Sequence, residues 1–203
     1  DIGNTAEQYA ESIFEKLNAD GVTINPYMGK GDSAIAFTKY ADRGIIILCA
    51  TSNQSKDSKN GGWSEFEDLQ VDNTELPDMI PTRLYLYVAN RVINNWNENQ
   101  NCLLVFGANQ VSQVVEVRKI VGDMWLLVPA TGAQGNRIED IVPAAKNSKG
   151  SGIILNQSRS ILYLKKDEGE FETEEELASA MNAESKKVNG QIRAALGVTV
   201  EAA

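Results

Sequence analysis

Two stretches of this chain carry the residue types that grip a phosphate. One reads Pro129-Ala130-Thr131-Gly132-Ala133-Gln134-Gly135, the other Gln157-Ser158-Arg159-Ser160. Gly132 and Gly135 let backbone N–H groups approach an anion closely. Gln134 carries an amide donor, and the planar fork of Arg159 matches two phosphate oxygens. A plain tight turn and a surface Arg would show the same residues, so the residues alone leave both readings open. The sequence contains no histidine. That removes the commonest general base and metal ligand, and leaves carboxylates, lysines, hydroxyls and backbone to do any chemistry. Cys49 and Cys102 each sit inside an apolar run, without metal-like spacing, and read as buried, reduced thiols.

The elements that must position these residues are short and alternate in type. Apolar, largely β-branched runs at 21–25, 44–49, 102–106, 124–128 and 152–156 predict strands. They lack strict alternation, as strands covered on both faces do. Helical spacing appears between them at 5–19, 33–41, 80–96, 136–146 and over Val111–Val121 and Glu174–Leu196. Thr5-Ala6-Glu7-Gln8 has the form of a capping box, with Ala6, Ile13, Phe14 and Leu17 near one face. The last helix opens on an acidic first turn that suits the helix dipole. Strand–helix alternation makes the class α/β with a parallel sheet. Five strands fit either a doubly wound open sheet or part of an eight-stranded barrel. Residues 54–78 are polar and acidic, too long for an ordinary connection, and read as an insertion or mobile loop in a single domain spanning 1–203.

The 203 residues suffice for one domain with a sizeable core. The net charge of −9 argues against a nucleic-acid partner, since a grip on that backbone needs an excess of Lys and Arg. A small phosphorylated ligand needs only a local basic residue and some N–H groups. The longest apolar run, residues 45–50, is far short of a membrane span, and no membrane partner is expected.

Ligands of parallel α/β folds lie at the C-terminal ends of the strands, and there the chain resembles one family. Asp1-Ile2-Gly3-Asn4-Thr5 is similar to the end of the Asp-x-Lys-x-x-Asp-Ile signature of orotidine monophosphate decarboxylases. Val22 to Gly29, Cys49-Ala50-Thr51-Ser52-Asn53, Val105-Phe106-Gly107-Ala108-Asn109, Pro129 to Gly135 and Asn156 to Ile161 resemble its fourth to eighth strand loops, in order. The resemblance runs from residue 1 to about residue 163 and points to the longer bacterial branch.

The resemblance implies a (β/α)8 TIM barrel, of which this chain holds about five βα units and a C-terminal helix. It implies a cytoplasmic, homodimeric lyase of pyrimidine biosynthesis, converting orotidine monophosphate to uridine monophosphate with no cofactor and no metal. Asp1 resembles the second catalytic aspartate, which reaches into the neighbouring subunit's site. Ile2 and Thr5 resemble its companions there, with Thr5 at the ribose or phosphate end. Ser52 resembles the serine that reads the pyrimidine edge, and Pro129 the wall beside the base. Gln134 and Arg159, with the N–H groups of Ser158 and Arg159, resemble the phosphate grip. The chain departs from the pattern in lacking the signature's lysine and the first three strands, so an upstream segment is expected to supply them. Two smaller departures are Pro129-Ala130-Thr131, where the family usually has Pro-Gly and an aliphatic residue, and Ser160, where it usually has Gly. The alternative expectation is an inactive fragment that at most binds a pyrimidine nucleotide.

Overall fold

A computed structural model describes residues 1–51, 70–71, 82–107, 111–129, 137–164 and 171–198. The five expected strands form, as β1 (Gly21–Ile24), β2 (Gly44–Ala50), β5 (Cys102–Phe106), β6 (Leu126–Pro129) and β7 (Ile153–Asn156). All neighbouring pairs are parallel, in the order β1-β2-β5-β6-β7. A doubly wound sheet reverses its strand order at a switch point. This sheet never reverses, so it is an arc of a (β/α) barrel. Two short strands, β3 (Gln70–Val71) and β4 (Thr82–Arg83), pair antiparallel as a separate ribbon. Apart from 70–71, the expected insertion at 54–78 lies outside the described residues.

The strands have two distinct faces. Ile47, Leu104 and Leu126 stand in register and are fully buried beneath the helices. Thr23, Ile46, Leu48, Leu103 and Leu127 alternate with the buried set and lie on the concave face, where they keep partial or full contact with solvent. Gly21 is required where it stands, because a Cβ there would come within 2.9 Å of the Gly44 carbonyl on the paired strand.

The helical layer holds α1 (Gly3–Glu11), α2 (Ile35–Thr38), α3 (Leu84–Arg91), α4 (Val111–Val121), α5 (Ile138–Ala145), α6 (Arg159–Leu162) and α7 (Glu174–Leu196). α1 and α3 end in wider π turns, Ser12–Lys16 and Val92–Trp96. In these the N–H groups of Leu17 and Asn97 donate to carbonyls five residues back. Ala6, Ala10 and Phe14 pack α1 into the core, with Phe14 edge-on to Phe37 at 6.5 Å. The widened turn swings Leu17 out of that face, and it is 74% exposed.

The capping box expected at Thr5 does not form. The helix starts two residues earlier, at Gly3, with Ile2 as an N-cap that has no side-chain bond, so Thr5 falls inside the first turn. A variant of the box, shifted by one residue on its return bond, forms at the other end of the chain. Thr173 Oγ1 accepts the Glu176 N–H at 3.1 Å, and Glu176 Oε2 accepts the Glu172 N–H at 2.9 Å, which opens α7. α7 then lays Val188 against Ile138 and Val142 of α5, with Ile153 and Leu155 of β7 beside them.

The N-terminal ends of β6 and β7 are fastened by one side chain. The half-buried guanidinium of Arg118 donates to the carbonyls of Gly122 (2.7 Å), Met124 (2.6 Å), Ala145 and Gly152. Beside it, Asn147 Oδ1 accepts the N–H groups of Lys149 and Ser151, both at 3.0 Å.

Candidate functional site

Each described candidate residue is placed by the strand or helix next to it. The short connection from the α1 turn to β1 makes the two antiparallel, so α1 begins at the rim where the strands end. Asp1 and Ile2 sit on that rim, and the Asp1 carboxylate accepts the Ile2 N–H at 3.0 Å. Thr5 is exposed in the first turn of α1. Pro129 ends β6 in register with Asn156 of β7, both on the concave face. Ser158 is the N-cap of α6 and Arg159 its first residue, exposed beside them. The first N–H groups of a helix have no partner within it and point outward from its start.

Two candidates, Ser52 and Gln134, lie outside the described residues. The others form two groups. Pro129, Ser158 and Arg159 stand together at the β6–β7 edge. Asp1, Ile2 and Thr5 stand at the opposite end of the helical layer, where α1 packs beside α2. In an eight-stranded barrel the first and last of five consecutive strands face each other across the mouth. The departure at Ser160 has a local consequence, since its hydroxyl donates to Gln157 Oε1 at 2.9 Å and braces the α6 turn.

Three features went unread in the sequence. α6 is only four residues long and leaves no periodic trace. Asn25 and Tyr27 divide the work in their loop. Asn25 Oδ1 accepts the Tyr27 N–H at 2.9 Å and starts the turn, while the Tyr27 ring is 88% exposed. A cavity of about 930 Å³ opens at the end of β2, bordered by Asn25, Lys30, Thr51, Tyr87, Arg91 and Trp96. Lys30 is held there by the Asn95 carbonyl and the Glu98 carboxylate, each at 2.5 Å. On sequence alone Tyr87 and Trp96 are equally good core residues.

Burial raises the pKa of two groups packed among the core residues. The Tyr85 phenol is pushed up to about 12 by desolvation and by its hydrogen bond to Glu116. Burial also raises the Cys102 thiol to about 11. Among the described residues no cluster of three or more His, Cys, Asp or Glu side chains could hold a metal ion. No helix among them is long and apolar enough to cross a membrane.

The family profile of "Orotidine 5'-phosphate decarboxylase / HUMPS family" matches residues 1–173. The chain belongs to this family. It is 45% identical over 168 residues to orotidine 5'-phosphate decarboxylase of Janthinobacterium sp. (strain Marseille), a match covering 83% of this chain and 56% of that protein. This member of the decarboxylase family therefore spans little more than half the length of that relative. Among solved structures it is similar to Leishmania donovani OMP decarboxylase, with a TM-score of 0.75 and 30% identity over 98% of this chain and 66% of that one. Leishmania donovani UMP synthase gives a TM-score of 0.74 and 31% identity, over 97% of this chain and 37% of that one. The arc of five parallel strands is thus the part of a decarboxylase-family barrel that this chain contains.

Proposed function

We propose that residues 1–203 are the C-terminal part of a cytoplasmic orotidine 5'-monophosphate decarboxylase, folded as a single domain with an insertion at 54–78. The reaction breaks the bond between the pyrimidine ring carbon and its carboxylate. Carbon dioxide leaves, and the ring carbanion takes a proton to give uridine monophosphate. No cofactor takes part. The observation that carries this reading is the family match over residues 1–173, together with Asp1, Pro129, Ser158 and Arg159 on the rim where the strands end.

In this reading Asp1 acts across the interface of a homodimer, in the partner's site, with Ile2 and Thr5 beside it. Its carboxylate belongs to an array of aspartates and lysines that strains the substrate carboxylate and stabilises the developing charge. An upstream segment supplies the lysines, one of which delivers the proton. Ser52 reads the pyrimidine edge and Pro129 walls the base. Gln134, Arg159 and the N–H groups of Ser158 and Arg159 hold the phosphate. Binding energy gathered at the phosphate is spent at the remote carbon, so these residues affect turnover though they are far from the bond broken.

The test is decarboxylation of orotidine monophosphate by the full-length protein, followed by the ultraviolet change of the pyrimidine. Arg159→Ala is expected to lower kcat/KM about 10- to 100-fold, the range for losing a charge-assisted hydrogen bond. Unchanged kinetics in that variant would sink the phosphate assignment. Binding of uridine monophosphate with no turnover by the wild type would leave only a nucleotide-binding remnant.

A further inference from the structure

α3 has two apolar stripes. Tyr85, Ala89 and Val92 enter the core, where the Tyr85 ring meets Phe106 of β5. Leu84, Tyr87, Val88 and Arg91 recur at the three- and four-residue spacing of a second face, and this face borders the cavity of about 930 Å³. The cavity runs the length of the helix, from Leu84 at its first residue to Trp96 in its closing π turn. α3 packs on α4 on one side. Across the cavity stands the loop after β1, with Asn25, Tyr27 and Lys30 on its wall. That loop leads into a single π turn, Lys30–Ala34, and the four-residue α2, so no helix as long as α3 follows β1. The floor is β2 at a β-bulge. Leu48 pairs with Val105 and Ala50 with Phe106, which leaves Cys49 with no partner position on β5, and Leu48 and Cys49 both border the cavity. None of Asp1, Ile2, Thr5, Pro129, Ser158 and Arg159 borders it.

The walls carry charge of one sign. The chain has a net charge of −9, yet the charged side chains among the described lining residues, Lys30 and Arg91, are both basic. The Lys30 side chain is only 25% exposed. Its ammonium spans the gap to the Asn95 carbonyl and the Glu98 carboxylate. An ammonium has three donors, so these two bonds leave one. The Arg91 guanidinium lies over the Tyr87 ring, 6.0 Å from its centre. Leu84, Val88 and the nearly buried Trp96 make the rest of the α3 wall apolar. An apolar cleft of this volume with a few polar groups is the usual form of a small-molecule site.

We propose that this cavity is a second binding site, apart from the rim residues assigned to the reaction, for a small aromatic acid. Its ring lies against Tyr87, Val88 and Trp96, and its acid group pairs with Lys30 and Arg91. Binding here does not depend on the reaction assigned to the rim.

The probe is 1-anilinonaphthalene-8-sulfonate, an aromatic sulfonate that brightens in apolar surroundings, titrated into the full-length protein. Its neutral counterpart, N-phenyl-1-naphthylamine, has the same rings and no sulfonate. Saturable binding of one sulfonate per chain is expected. Lys30→Met and Arg91→Met should each weaken the sulfonate about tenfold, the loss of a charge-assisted contact, and leave the neutral amine unchanged. Arg91→Lys, which keeps the charge, retains most of the affinity. Val88→Trp fills the cavity and removes both probes. Should Lys30→Met lose both probes alike, through loss of its tie to Asn95, the contrast of Arg91→Met with Arg91→Lys decides. Sulfonate binding that never saturates, that survives Val88→Trp, or that is indifferent to the charge at position 91 overturns the proposal.

Discussion

Tyr85 shows how one side chain can serve packing and electrostatics together. Its ring is almost completely buried against Phe106, and its phenol must find an acceptor there, which Glu116 provides. Desolvation first, and the Glu116 bond second, raise the phenol to about 12 from the ordinary 10. The folded state thus holds this proton more tightly than the unfolded chain does. Its contribution to stability is complete below pH 10 and is lost as pH rises from 10 to about 12. Thermal melts over that window should fall less steeply for Tyr85→Phe than for the wild type, and parallel curves would contradict the shift. At this scale the sequence is partly legible. The rim positions of Pro129, Ser158 and Arg159 could be read because each follows or ends an apolar strand run. The bulge at Cys49 could not, because Ile45 to Ala50 is apolar throughout and gives no alternation whose interruption would show.

At the scale of elements, α7 is the clearest case of local chemistry placing a long helix. Its acidic first turn suits the dipole, and Thr173 and Glu176 satisfy two N–H groups at its start. Removing the cap with Thr173→Ala is expected to cost about 1 kcal/mol in chemical denaturation. The cost should appear as lost stability, because α7 holds its place by packing on α5 and on the outer side of β7. A variant as stable as the wild type would mean that Val188 and its neighbours alone hold the helix. The five strands were legible because β-branched runs between helical stretches have few other structures open to them. The start of α1 was misread because Thr5 to Gln8 satisfies the capping-box spacing, while the actual N-cap, Ile2, has no capping side chain. Strand order was beyond the sequence altogether. Periodicity shows that a segment is a strand, not which strand it pairs with, so the barrel rested on resemblance until the unreversed order β1-β2-β5-β6-β7 decided it.

At the scale of the molecule, the arc has one well-covered face and one open one. Residues 1–203 on their own present Ile46, Leu48, Leu103, Leu127 and Ile154 on the concave side, with Ile154 41% exposed, between the outer edges of β1 and β7. Apolar surface between open edges invites association. Sedimentation of the isolated chain should show concentration-dependent self-association that Ile154→Lys reduces, and a monodisperse chain at every concentration would refute this. The two ends of the arc also divide the work. The Arg118 guanidinium gathers four carbonyls at the foot of the sheet, from Gly122 after α4, Met124 before β6, Ala145 at the end of α5 and Gly152 before β7, while the described candidate site residues stand at the opposite rim. In evolutionary terms, that separation gives the lineage room to change. Residues at the rim can be exchanged, as Ser160 illustrates, while the foot keeps neighbouring strands in register and the inherited scaffold survives each trial.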